Sequence, residues 1–218
     1  MPGNVWTIVV AAGSGARFGA AKQFEPLGDR SVLDWSLAAA ASASDGVVVV
    51  LPPGADLPPG AVAGGDTRSQ SVRNGLAAVP SDAAVVVVHD AARPFAGGEL
   101  FAAVVAAVRA GADGAVPGVP VTDTIKQVTP DGVVVATPDR AMLVAVQTPQ
   151  AFRADVLRRA HAKGGEGTDD AALVEDLGGR VVVVPGHPDN RKITVPDDLR
   201  WARDRVASGA PRTAGVGR

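Results

Sequence analysis

A chain of 218 residues with 21 Lys and Arg against 23 Asp and Glu carries a formal charge of −2, which excludes the global basic field that gathers nucleic acid nonspecifically. It contains no cysteine, so disulfides, thiolate chemistry and the common structural zinc sites are excluded, in keeping with a reducing compartment. No apolar run approaches the roughly 20 residues of a membrane span, and Met1 to Val5 lacks the charged start and apolar stretch of a signal peptide; a soluble cytoplasmic protein without a membrane or nucleic-acid partner is expected.

Residues 5–10, VWTIVV, open a series of short valine-rich runs that continues at 47–51, 85–88, 114–117 and 180–184. Continuous β-branched runs of this length suit strands covered on both faces of a parallel sheet. Between them, residues 31–43, 69–78, 99–110 and 155–163 carry apolar residues at helical spacing. The alternation predicts a three-layer α/β/α, Rossmann-like fold with a mostly parallel sheet. In such a fold the ligand lies beyond the carboxyl ends of the strands, here from Ala11, Pro52 and His89 onward. Residues 52–65, rich in Pro and Gly, read as a long surface loop bordering that ligand. Residues 121–137, VTDTIKQVTPDGVVVAT, break the alternation. Strand-like runs around Pro-Asp-Gly predict a β-arm over about 121–140, of a kind that embraces a partner subunit. Residues 1–207 are expected to form one domain and 208–218 a frayed tail.

The chemistry concentrates at the predicted strand ends. VVAAGSGARFGAAKQ, residues 9–23, looks like a dinucleotide-binding loop, but the third glycine of that fingerprint would fall at Phe18. A Walker loop is excluded as well, because no Gly-Lys-Ser/Thr follows at its spacing. Gly13 and Gly15 let backbone N–H groups approach phosphate oxygens, and Arg17 and Lys22 add full charges at the same mouth. That combination suits a triphosphate; a tight turn with two solvated cations is the equal alternative. VVVVHDAARP, residues 85–94, ends a buried strand with His89, Asp90 and Arg93. Asp90 can face a ribose hydroxyl or a hydrated metal and Arg93 a phosphate, although by itself Asp90 reads more readily as an N-cap. His89, with no second histidine at ligand spacing, reads as structural. GGDTRSQSV supplies Gly64, Gly65, Asp66, Arg68 and Ser71, alone no more than a capped helix start. DRAMLVAVQTPQAF holds Arg140 and Thr148, GTDDAALVE opens a helix with Thr168, and NRKITVPDDL places Lys192 on a short strand before a helix starting near Pro196.

Taken in order, AAGSGAR, KQF, GGDTRSQSV, HDAARP, DTIK, DRA, QTPQAF, TDDA and KITVPDDL resemble the 2-C-methyl-D-erythritol 4-phosphate cytidylyltransferases, from about Val5 to Trp201. Val10 departs from the proline usual in that family before the two alanines. The resemblance implies a nucleotidyltransferase fold in which Ala11, Ala12, Gly13 and Gly15 line the nucleotide and Arg17 and Lys22 hold its phosphates. It implies that Gly65, Asp66 and Ser71, with Arg68 beside them, bind the base, and that Asp90 and Ala91 lie by the ribose and a magnesium-bound triphosphate. Arg93 would stand near the second substrate. Thr124 and Arg140 would reach over from the arm of a neighbouring subunit, joined by Thr148, Thr168 and Lys192, so the site would be shared in a homodimer.

The implied reaction joins CTP to a polyol phosphate with release of pyrophosphate. A phosphate monoester has a second pKa near 6, so it attacks as a dianion without a protein base. Lys22, Lys192, Arg17 and Mg²⁺ are assigned to the charge developing at the α-phosphate and pyrophosphate. Mg²⁺ would be held mainly by substrate phosphates and water, with Asp90 nearby and no dedicated protein metal site. The alternatives are a cytidylyltransferase for another polyol phosphate such as ribitol 5-phosphate, a non-catalytic CTP sensor and, last, a NAD-dependent oxidoreductase.

Overall fold

The computed structural model describes residues 3–209 except 14, 16 and 17. In chain order it forms β1 (Val5–Val10), a 3₁₀ turn at Lys22–Phe24, the hairpin β2 (Pro26–Leu27) and β3 (Arg30–Ser31), α1 (Val32–Ala43), β4 (Gly46–Leu51), β5 (Ala61–Ala63), α2 (Arg68–Ala78) and β6 (Val85–Asp90). There follow α3 (Gly98–Arg109), β7 (Gly114–Pro120), β8 (Gln127–Val128), β9 (Val134–Ala136), a 3₁₀ turn at Arg140–Met142, β10 (Val144–Val146) and β11 (Gln150–Arg153). The chain closes with α4 (Ala154–Ala162), α5 (Asp170–Glu175), β12 (Val181–Pro185) and α6 (Pro196–Ala207).

The main sheet runs β10-β7-β11-β6-β1-β4-β5, with β12 also paired to β7. β6, β1, β4 and β5 are mutually parallel, as are β7 and β12, while β10 and β11 run antiparallel to their neighbours. The fold is therefore α/β with a mostly parallel sheet, as the alternation predicts.

β-branched runs form strands here because both sheet faces are covered. In β6 every residue is buried. Val85 and Val87 face one layer with Leu100, Phe101, Val104 and Val105 of α3 and Leu33 and Ala40 of α1. Val86 and Val88 face the other, with Val72 and Leu76 of α2, Leu157 of α4 and Val174 of α5. A third cluster joins Leu27, Val32 and Phe95 to Ile193, Leu199 and Ala202. It brings the segment before α6 against the start of α1, and the Ile193 N–H donates to Ala92 O at 2.8 Å. Ile193 is thereby fixed beside the loop after β6, and Lys192 precedes it.

The Pro-Asp-Gly arm is present as β8 and β9, antiparallel and closed by a turn in which Gly132 N–H donates to Thr129 O. Three local expectations are corrected. Residues 52–65 are not all loop, since β5 extends the sheet from Ala61 to Ala63 beside β4. Lys192 lies in irregular chain instead of a strand, because its segment pairs with a loop and not with a sheet edge. The helix expected to open at Thr168 is capped by Asp169, whose carboxylate accepts from Ala172 N. β11 has no counterpart among the valine-rich runs; it lies between β6 and β7, antiparallel to both. Residues 210–218 of the expected tail lie outside the described residues.

Candidate functional site

A cavity of about 520 Å³ opens at the carboxyl ends of β1, β4 and β6. Its wall brings together Ala11, Ala12, Gly13, Gly15 and Lys22 from the glycine-rich loop, Gly65, Asp66, Arg68 and Ser71 from the start of α2, Asp90 and Ala91 from the end of β6, and Lys192. Twelve positions spread over 182 residues of chain thus meet at one surface, where a Rossmann-like sheet binds its ligand. Arg17, grouped with them from the sequence, lies outside the described residues. A second groove of about 710 Å³, between α1 and α3 and beside the start of β1, contains none of the sequence-predicted site residues.

The glycine-rich loop is held from behind. Gly15 has φ +69°, and a Cβ there would come within 1.8 Å of Ala20 O, so no other residue fits without moving the turn. Buried Gln23 donates through Nε2 to Ala11 O at 2.8 Å and to Gly13 O at 3.3 Å. These bonds engage the carbonyls of the loop with the protein instead of with a ligand. Across the cavity Ser71 Oγ accepts from Gly65 N–H at 3.1 Å and donates to Thr67 O at 2.9 Å, fixing the turn into α2. A Cβ at Gly64 would lie 2.3 Å from the Ala12 methyl, so the two loops touch there.

Asp90 is the electrostatic centre. Its Oδ2 accepts from Lys192 Nζ at 2.6 Å, and its Oδ1 faces Nε and Nη2 of Arg68, both at 3.4 Å. Arg68 Nη1 makes the shorter contact, 2.8 Å, to Asp170 Oδ2, and His161 Nε2 donates to Asp170 Oδ1 at 3.0 Å. Burial would raise the Asp90 pKa, but the charges of Arg68, Lys192 and Arg93 outweigh it and hold the carboxyl well below the usual carboxylate range. Burial likewise acts to lower the Arg68 pKa, and Asp170 and Asp90 overcome it and raise it. Asp90 does not cap a helix: α3 begins only at Gly98. Among the described residues no group of three or more His, Asp or Glu side chains is placed to cage a metal.

Five other predicted residues stand apart from this wall. Thr148 is buried, its Oγ1 accepting from Asp90 N–H at 3.0 Å, so it touches the backbone that carries the carboxylate and not the cavity. Arg93 donates to Asn190 O at 2.7 Å and does not line the cavity. Thr124 and Arg140 are exposed on the arm, where Arg140 Nη1 donates to Thr122 O at 2.7 Å. Thr168, also exposed, precedes the cap of α5 and lies off the cavity wall. Sequence reasoning assigned no role to Gln23 or Asp170, although both sit inside quoted motifs; the signal in each case is a polar side chain that the fold buries completely or nearly so.

The family model for 2-C-methyl-D-erythritol 4-phosphate cytidylyltransferase matches residues 5–207. The curated protein of that name from Nocardia farcinica is 47% identical over 216 residues, covering 92% of this chain and 93% of its own length. A "Bifunctional enzyme IspD/IspF" from Anaeromyxobacter dehalogenans is 48% identical over 231 residues, and there the match takes in 96% of this chain but 58% of the relative. The chain thus spans little more than half the length of such two-part relatives. Among solved structures, the 2-C-methyl-D-erythritol 4-phosphate cytidylyltransferase of Thermus thermophilus superposes with a TM-score of 0.79 at 38% identity, over 92% of this chain and 98% of that one. The 4-diphosphocytidyl-2C-methyl-D-erythritol synthase of Anaerococcus prevotii gives 0.81 at 29% identity, over 94% and 99%.

His89 makes the strand end pH-sensitive. It is fully buried against Phe101, with Nδ1 3.2 Å from Thr148 Oγ1 and no hydrogen-bond partner at Nε2 among the described residues. Burial lowers its pKa to about 4; Asp90 opposes this and Arg93 adds to it. As pH falls below about 6.5 the unfolded chain takes up a proton at this histidine while the folded chain does not, so stability is lost down to about 4 and the loss then levels off. The contribution is about 3 kcal/mol. In urea unfolding between pH 7 and 4, His89→Gln is expected to show a shallower fall in stability than the parent. Equal slopes would mean that His89 takes up its proton in the folded state as readily as in the unfolded one.

Proposed function

Since the chain belongs to the 2-C-methyl-D-erythritol 4-phosphate cytidylyltransferase family, we propose that it transfers CMP from CTP to 2-C-methyl-D-erythritol 4-phosphate, as a step in isoprenoid precursor synthesis. The products are 4-(cytidine 5'-diphospho)-2-C-methyl-D-erythritol and pyrophosphate. The observation that carries the reading is the convergence of Lys22, Lys192 and Arg68 with a glycine-rich loop on one cavity, which suits an anion of high charge.

The acceptor's phosphate, a dianion near neutral pH, attacks the α-phosphorus. A new P–O bond forms as the bond from that phosphorus to the β-bridging oxygen breaks, and the electron pair leaves with pyrophosphate. The obstacle is repulsion between two anions, and cations placed in advance reduce it. Lys192 exchanges Asp90 for a phosphate oxygen, and Lys22 stands at the mouth of the loop. Arg17 has the same role by family likeness. The donor set fits magnesium carried by the triphosphate: Asp90 is an ionised carboxylate on the cavity wall, suited to the water shell of a hard cation. When bound, that ion supplies further neutralisation of phosphate charge. A cytoplasmic enzyme fits this reading, and no described helix is long and apolar enough to cross a membrane.

The arm supports a homodimer. Val128, Val133, Val134, Val135 and Met142 are exposed on it or just beyond it, and apolar surface of this kind gains by covering. Packed on a second copy, the arm would offer Thr124 and Arg140 to the sugar phosphate of that copy, beside Thr168.

Release of pyrophosphate from CTP is expected only with methylerythritol phosphate present, and not with UTP, ATP or ribitol 5-phosphate in exchange for the matching substrate. Release without an acceptor, or equal turnover with ribitol 5-phosphate, would contradict the reading. Lys22→Ala and Lys192→Ala are each expected to lower kcat by at least about 100-fold, the scale of losing one preorganised donor. Near-normal turnover would remove them from the mechanism. Arg140→Ala is expected to raise the KM for the sugar phosphate while CTP binding survives, and mixing it with Lys22→Ala to restore one intact site per hybrid dimer. Hybrids without recovery would mean that the arm serves its own chain.

A further inference from the structure

A charged chain runs inward from the cavity wall, with Lys192, Asp90, Arg68, Asp170 and His161 in continuous contact, and the reaction does not itself require its last two members. Lys192, Asp90 and Arg68 line the cavity; Asp170 and His161 do not. Asp170 is wholly buried and His161 nearly so. A buried ion pair is a poor source of stability, since desolvation consumes most of the attraction. Its geometry here is informative.

Arg68 faces two carboxylates and treats them unequally. It sits 2.8 Å from Asp170 and 3.4 Å from Asp90, although a guanidinium fork can close on a single carboxylate through two short bonds. His161 fixes the other oxygen of Asp170, so the anchor cannot follow Arg68 toward the cavity. Asp90 consequently makes its short contact with Lys192. Remove the Asp170 charge, and the fork is free to close on Asp90, displace Lys192 and neutralise the carboxylate that faces the substrate.

We propose that Asp170, clamped by His161, is a positioning residue that holds Arg68 back from Asp90 and so keeps Asp90 and Lys192 available for phosphoryl chemistry. The role rests on the cytidylyl transfer proposed above. It acts through Arg68, and that dependence separates it from a merely structural role.

The experiment compares the full-length protein with Asp170→Asn, Arg68→Met and the double variant, measuring kcat, the KM for CTP and thermal unfolding for each. Asp170→Asn keeps the shape and removes the charge. Its kcat is expected to fall about tenfold or more, the scale of a displaced catalytic group, with the KM for CTP within about threefold. In the Arg68→Met background the same change is expected to leave kcat unaltered, because coupled residues are not additive. Unchanged kcat in Asp170→Asn, or an equal loss in both backgrounds, would overturn the proposal. If Asp170→Asn does not fold, Asp170→Glu reads the same quantity: charge retained is expected to keep kcat within about threefold, and a tenfold loss in the folded protein would overturn it. A parent protein that turns over no CTP would count instead against the reaction.

Discussion

An aspartate at the end of a strand buried along its whole length is tolerated only when cations stand against it. Asp90 is that residue, and the fold is arranged to deliver its partners from distant parts of the chain. Arg68 comes from the first turn of α2, and Lys192, 102 residues along the sequence, from the segment before α6. The latter is placed by its neighbour: Ile193 is buried among Leu27, Val32, Phe95, Leu199 and Ala202, burial worth about 2 kcal/mol or more. Thr148 receives the Asp90 N–H from the turn before β11. Sheet, third core cluster and irregular turns therefore share one consequence, a fixed anionic point ringed by positive charge.

The two cations at that point differ in what it costs to move them. The Lys192 side chain is 40% exposed, so water screens its charge more than that of Arg68. A phosphate oxygen can reach it from the cavity. Arg68 is 25% exposed and tied to a carboxylate of zero exposure, where breaking the contact would strand a buried charge. In the proposed reaction Lys192 would turn from Asp90 to the reacting phosphate while Arg68 stays as scaffold. Both charges stand at the site before the substrate arrives, which keeps the cost of reorganisation small.

Much of this was legible in the sequence because its physical cause is local. Valine runs buried on both faces give the parallel strands, helical spacing gives the covering layers, and Pro-Asp-Gly gives the arm. Twelve of the candidate site residues in the ordered motifs line the cavity. What escaped depends on partners far along the chain. β11 is four residues, QAFR, with no alternation of its own; its strand character comes from lying between β6 and β7. Lys192 looked like a strand residue because ITV is β-branched, but its backbone partner is a loop. Asp170 reads as an ordinary acid at a helix start, because its partner Arg68 lies 102 residues away. Gln23 was a letter in a motif until its amide met the carbonyls of the glycine-rich loop.

A crystal structure with CTP and magnesium bound tests the central claim most directly. The triphosphate is expected in the cavity at the ends of β1, β4 and β6, with Lys192 Nζ moved from Asp90 to a phosphate oxygen and Arg68 still on Asp170. A triphosphate seated elsewhere, for example in the groove between α1 and α3, or one in the cavity with Lys192 still closed on Asp90, would contradict the account.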